Sequence, residues 1–342
     1  MKKPIIGISM GDPAGIGPEI AAKALTRRDV RDICFPLVVG DYETMRRAAE
    51  LSAPGLKVVK VDDPSEAEAL GEDILPVFEF DGAGGEYSPG IVTKSSGEAA
   101  FRSVETLIKL AIDGRIDATV TGPINKEAIN LAGHNFPGHT EIYAHYTGTK
   151  GFAMMLAAGK LRVIHNSTHV SLREACDRVK KSRVIETVQL AYSALKDMGI
   201  EAPRIAVAGL NPHAGEHGMF GREEIDEIIP AVEELKAGGI NVSGPYPPDS
   251  IFARAAGGEF DMVVAMYHDQ GHIPIKTSGF VLDPETGRMK SVSGVNITLG
   301  LPIIRVSVDH GTAFDIAWKN HADEMSLVDA LEYAAAFSKK RA

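Results

Sequence analysis

The chain has 342 residues, 44% hydrophobic and 24% charged, with a formal net charge of −10. That length predicts two domains and a sizeable core, and the acidic balance excludes non-specific nucleic-acid binding, which runs on clustered Lys and Arg. Cys34 and Cys176 are too few for a disulfide framework and form no CxxC pair, which predicts a reducing compartment.

The first apolar run, "PIIGISM" (4–10), breaks at Gly11-Asp12-Pro13, too early for a signal peptide, and reads as a strand. No stretch approaches the ~18 apolar residues of a membrane span, so a cytoplasmic protein without membrane contact is expected. A helical "PEIAAKAL" (18–25) and a second run, "FPLVVGD" (35–41), follow. In "EAAFRSVETLIKLAIDG" (98–114) the residues Phe101, Val104, Leu107, Ile108, Ala111 and Ile112 recur at helical spacing, with Gly114 as the stop. "DATVTG" (117–122), "LRVIHN" (161–166), "RIAVAGL" (204–210), "FDMVVAMY" (260–267) and "LPIIRVSVDH" (301–310) are short, apolar and β-branched. Strands of this kind alternating with amphipathic helices predict an α/β fold with parallel sheets covered on both faces. Pro230 inside "REEIDEIIPAVEELKAGG" either kinks a helix or opens a new one. Residues 81–97 and 281–294 read as inserted loops.

Ligands of open α/β sheets bind beyond the carboxyl ends of the strands. The motif-like text falls there: "GDPAGIGPE", "GPINK", "STHVSLRE", "NPHAGEHG", "HDQGHIPIK" and "DHGTAFD" each follow a predicted strand. None of the 11 histidines precedes His134, and His169, His213, His268 and His310 lie just past strands. Neutral imidazoles so placed can converge on one divalent metal, although no HExxH or Cys/His pair supports it and a His taken singly is more often a hydrogen-bonded loop or core residue. Gly11, Gly15 and Gly17 have neither Rossmann nor P-loop spacing; they make either a tight turn or a helix N-terminus offered to an anion. Lys126, Arg173 and Lys276 suit solvated surface. Arg305, inside an apolar strand, does not, because a buried guanidinium needs anionic company.

The stretches "GDPAGIGPE" (11–19), "TGPINK" (121–126), "PGHTE" (137–141), "THVSLRE" (168–174), "GLNPHAGE" (209–216), "GPYPPDSIF" (244–252), "YHDQG" (267–271) and "GVNITLGLPIIRVSVDHGTAFDIA" (294–317) together resemble the 4-hydroxythreonine-4-phosphate dehydrogenase family. The resemblance covers almost the whole chain. It implies a two-domain α/β/α fold like that of isocitrate and isopropylmalate dehydrogenases, with NAD held without a Rossmann fingerprint. The domains are expected at 1–128 plus 295–342, on the cofactor side, and 129–294, carrying the metal ligands and a homodimer interface. The family's site lies in the cleft at that interface, with metal ligands from both subunits. Position by position, the resemblance implies His169, His213 and His268 as ligands of one divalent metal (Zn, Mn, Mg or Co). It implies His139, Thr140, Lys276, Asn296 and Arg305 as substrate contacts, and Lys276, Asp249 and Asp269 as the catalytic set. Ser9, Gly11, His310, Gly311, Thr312 and Asp315 would face NAD.

Three departures bear on the substrate. Lys276 and Asn296, close together in the biosynthetic enzymes, are separated here by "VLDPETGRMKSVS"; His272 stands where those enzymes carry an apolar residue; and "STHVSLREACDRVKK" differs from their corresponding loop. These point to the paralogous branch that resembles 4-phospho-D-threonate and 4-phospho-D-erythronate dehydrogenases, which yield dihydroxyacetone phosphate and carbon dioxide. The alternatives are 4-hydroxythreonine 4-phosphate oxidation in pyridoxal phosphate biosynthesis, oxidation of an aromatic cis-dihydrodiol dicarboxylate, or a non-catalytic metabolite sensor. Trp318, where a Gly is usual, leaves the detail of the cofactor loop open.

Overall fold

The structure, a computed structural model, describes residues 2–282, 284, 289–292 and 294–339. In chain order the strands are β1 (Ile5–Ser9), β2 (Phe35–Gly40), β3 (Lys57–Val61), β4 (Ile74–Glu79), β5 (Ala118–Thr121), β6 (Ala153–Ala158), β7 (Leu161–His165), β8 (Ile205–Ala208), β9 (Val242–Tyr246), β10 (Met262–Ala265), β11 (Phe280–Leu282), β12 (Met289–Val292), β13 (Val295–Leu299) and β14 (Arg305–Val308). Contacts divide the chain into Met1–Lys150 with Leu301–Ala342, and Gly151–Gly300. Each unit is a mixed α/β body, in keeping with the expected fold class.

In the first unit the strand order is β3-β4-β2-β1-β5-β14, and every pair is parallel. The helix Lys94–Ile112 buries Phe101, Val104, Leu107 and Ile108. Each of these contributes roughly 1.5–3 kcal/mol of transfer free energy, as an upper figure. Ile112, at the end of the same period, is 49% exposed because the helix stops there, with Gly114 at φ 68°. Ile129, Ile142 and Tyr143 pack with Phe101, Val104 and Ile108. Residues 129–150 therefore belong to this unit and not, as the sequence reading had it, to the second domain; residues 295–300 belong to the second unit.

In the second unit the order is β13-β6-β7-β10-β8-β9. The β13–β6 and β6–β7 pairs are antiparallel and the others parallel, so an all-parallel reading fails here. The sequence hid β6: "AMMLAA" is made of helix formers and is buried along its whole length. Tertiary burial, not propensity, makes it a strand. Of the 281–294 insertion, β11 and β12 pair as an antiparallel ribbon; residues 283, 285–288 and 293 lie outside the described residues. At Pro230 the first alternative is the nearer one: a π-turn, Glu224–Ile228, runs straight into the helix Ile229–Ala237 with the backbone helical through Ile228 and Ile229 (φ −76° and −60°), so the proline is taken up by a widened turn inside one continuous helix.

Candidate active site

In the first unit the loop after β1 and the loop after β14 are tied together. Ser9 Oγ accepts from Gly122 N at 3.1 Å, Asp12 N donates to the Pro123 carbonyl at 2.8 Å, and Ile16 N donates to the Thr312 carbonyl at 3.0 Å. Gly11 takes a left-handed φ of 74°. The structure thus brings Ser9, Gly11 and Thr312 into one neighbourhood, with His310, Gly311 and Asp315 on the same β14 loop. His310 Nδ1 lies 3.0 Å from the Gly311 carbonyl. Trp318 sits at φ 59°, the region where glycine is at ease. It is held there because its N–H donates to Glu19 at 2.8 Å and its indole N–H to the Pro13 carbonyl at 2.9 Å.

Arg305 is 3% exposed. Its Nη2 donates to Thr121 Oγ1 at 3.3 Å, and its guanidinium lies 5.8 Å from the Tyr143 ring centroid. Burial lowers its pKa to about 10. His139 opens the helix His139–Thr147, after Gly138. Burial, then the positive charges of Arg305 and Lys126, hold its imidazole well below the usual range. It is a neutral group in a cationic surrounding, and its buried Nε2 finds no hydrogen-bond partner among the described residues. Thr140 follows it on the same helix. Asp12 is wholly buried; desolvation raises its carboxyl to about 6, against the pull of the Ala14 N–H.

In the second unit a cavity of about 450 Å³ lies beyond β7 and β10, lined by Thr168, His169, Ser171, Tyr267, His268 and Asp269 among others. The rings of His169 and His268 are 5.8 Å apart. His268 Nδ1 is 2.6 Å from Asp269 Oδ1. Donation from Nδ1 to that carboxylate leaves the Nε2 lone pair for a ligand. His213 lies on a different loop, its ring 6.3 Å from that of Phe220, and does not line the cavity. Among the described residues no three His, Cys, Asp or Glu stand close enough to hold a metal. Asp249 is exposed in the first turn of the helix Pro248–Ala256. Lys276 lies half-buried in the last turn of the helix His268–Gly279. Asn296, on β13, donates to Met154 Sδ at 3.0 Å.

Several supporting residues were not singled out from sequence. Gln270 Oε1 accepts from Met266 N at 2.7 Å and its Nε2 donates to the Gly209 carbonyl at 2.7 Å. Gly271 is required because a Cβ there would run into His165 Nε2. His165 is fully buried, and desolvation drives its pKa down to about 3. The signal for Gln270 and Gly271 was present in "YHDQG", but a buried amide bridging two strand ends leaves no periodicity to detect.

The profile described as pyridoxal phosphate biosynthetic protein PdxA matches residues 32–334. The chain belongs to this family. It is 48% identical, over 99% of its own length and 98% of the relative's, to a D-threonate 4-phosphate dehydrogenase of Cupriavidus necator. It is 47% identical, over 97% and 95% of the two chains, to a 4-hydroxythreonine-4-phosphate dehydrogenase of Desulforapulum autotrophicum. The crystal structure of a 4-hydroxythreonine-4-phosphate dehydrogenase from Klebsiella pneumoniae matches with a TM-score of 0.84 at 43% identity, over 98% of this chain and 100% of that one. This PdxA-family member is a dehydrogenase. No described helix is long and apolar enough to cross a membrane.

Proposed function

We propose that the protein oxidises and decarboxylates a phosphorylated four-carbon hydroxy acid, 4-phospho-D-threonate or 4-phospho-D-erythronate, using NAD and a divalent metal, and releases dihydroxyacetone phosphate and carbon dioxide. The observation that carries this is the cationic surrounding of His139 in the first unit, where burial first, and then the charges of buried Arg305 and exposed Lys126, keep its imidazole neutral. A phosphate there would pair with the Arg305 guanidinium and turn the unfavourable field on His139 into a favourable one.

His169 and His268 fit a divalent metal as neutral imidazoles, the second of them oriented by Asp269. His213 stands apart from this pair in the same chain, so we propose that it serves as a metal ligand by completing the site of a second copy of the chain in a homodimer. The exposed apolar side chains Leu172, Met219, Phe220 and Ile273 of the second unit support such a contact. A bound metal supplies Lewis acidity at the reacting oxygen. A base from the set Lys276, Asp249 and Asp269 removes the hydroxyl proton. Ser9, Gly11, His310, Gly311, Thr312 and Asp315 would hold NAD, which would supply the acceptor for the hydride on the carbon bearing that hydroxyl. The β-keto acid so formed then loses its carboxylate as carbon dioxide.

The second reading, 4-hydroxythreonine 4-phosphate as substrate, is favoured by the relative from Desulforapulum autotrophicum. Steady-state NADH formation on a panel of four-carbon phosphates, with Zn, Mn, Mg and Co, separates the two. Turnover of 4-phosphothreonate is expected. Turnover of 4-hydroxythreonine 4-phosphate alone would reverse the assignment, and full activity after chelation would sink the metal chemistry.

A further inference from the structure

We propose that Glu224 is a positioning residue that fixes the left-handed turn carrying His213. The inference rests on the reading of His213 as a metal ligand. Residues His213, Ala214, Gly215, Glu216 and His217 have φ values of 52, 53, 80, 41 and 56°. Four of the five are not glycine, and consecutive L-residues do not hold this conformation by local preference. Something outside the turn has to over-determine it.

Glu224 does so. It is 1% exposed. Its Oε1 accepts from the backbone N–H groups of Leu210 and Asn211, both at 2.8 Å, and its Oε2 accepts from Asn211 Nδ2 at 2.9 Å. The turn is wrapped against this carboxylate: a Cβ on Gly215 would lie 2.7 Å from Oε2, and one on Gly209 would lie 3.1 Å from Oε1 and 2.9 Å from the Ala214 Cα. Glu224 also opens the π-turn Glu224–Ile228, a widened helical turn of the kind found at functional sites. Three donors converge on one group, so an acceptor-only side chain is needed. Gln would turn an amide N–H toward a donor. Gln270 holds the entry to the same segment through the Gly209 carbonyl.

The test is titration of the full-length protein with Co(II), followed by its visible absorption, beside thermal unfolding. E224Q and E224A are expected to bind Co(II) about 10- to 100-fold more weakly than wild type. A214G is expected to bind like wild type, because glycine takes a left-handed φ without strain. E224Q combined with A214G is expected to regain part of the lost affinity, which a general loss of fold would not produce. Should the Glu224 variants fail to fold, G215A perturbs the same contact with the carboxylate in place, and weakened Co(II) binding is again expected. Folded E224Q, or folded G215A, with wild-type Co(II) affinity, beside a His213→Ala variant that has lost it, overturns the role of Glu224. Wild-type Co(II) binding by His213→Ala overturns the reading of His213 instead.

Discussion

The imidazole rings of His268 and His272 lie face to face, 3.5 Å between centroids and 13° between planes. His272 Nδ1 also donates to the His268 carbonyl at 2.9 Å, and His165 backs the pair at 4.8 Å from His272. His268 is therefore gripped from two directions, by Asp269 at its Nδ1 and by His272 on its face. Replacing His272 with Leu removes the stack and the hydrogen bond. We expect kcat/KM for 4-phosphothreonate to fall about tenfold, with KM for NAD unchanged. Steady-state kinetics with each substrate varied in turn will show it; a parallel rise in KM for NAD would count against this role.

Gln270 joins the end of β10 to the residue after β8. In Gln270→Ala two buried backbone groups, the Met266 N–H and the Gly209 carbonyl, lose their partner. Each buried orphan costs about 1–3 kcal/mol, so a destabilisation of roughly 2–6 kcal/mol is expected in urea denaturation. A loss below about 1 kcal/mol would mean that water replaces the amide.

Arg305 should matter to substrate far more than to stability. A buried cation gains little net folding free energy over an apolar side chain of similar size. Arg305→Met is expected to leave Tm within a few degrees while raising KM for the phosphorylated substrate roughly 30-fold or more. Equal KM values for the two proteins would remove Arg305 from the phosphate site.

Two buried groups of the first unit oppose each other in acid. His139 is held well below its usual pKa, so below about pH 6.5 the unfolded chain takes up a proton that the native state refuses, and stability falls as pH falls. Asp12 is raised to about 6, so its contribution is fully present below about pH 4 and is lost as pH rises through 6. Between about pH 4 and 6 the two slopes have opposite sign. Asp12→Asn is expected to steepen the acid destabilisation in that window, and His139→Gln to flatten it. Urea midpoints at half-unit pH steps will separate them.

Much of the fold was legible because β1, β2, β5, β7, β8, β10 and β14 are short, apolar and mostly β-branched, and their helices keep a 3.6-residue period. What stayed hidden has physical reasons. β6 reads as helix by composition and becomes a strand through burial on both faces. β3, "KVVKV", is largely exposed and alternates too weakly to stand out. The candidate site was legible at the level of motif, since its polar residues cluster after strands. The layer behind it was not. Glu224, Gln270 and His165 act through hydrogen bonds and ring contacts to residues 4 to 107 positions away, and such contacts leave no trace in a local pattern.

Trp318 is the only tryptophan of the chain. Its indole is pinned to Pro13, and the Arg47 guanidinium lies 5.0 Å from its ring. The protein thus carries its single tryptophan fluorophore, which can be excited selectively over the tyrosines, on the loop assigned to NAD. Its emission overlaps the absorption of reduced nicotinamide, so bound NADH can be followed by energy transfer from one known position. A dinucleotide titration read at that wavelength pair needs no label and no substrate.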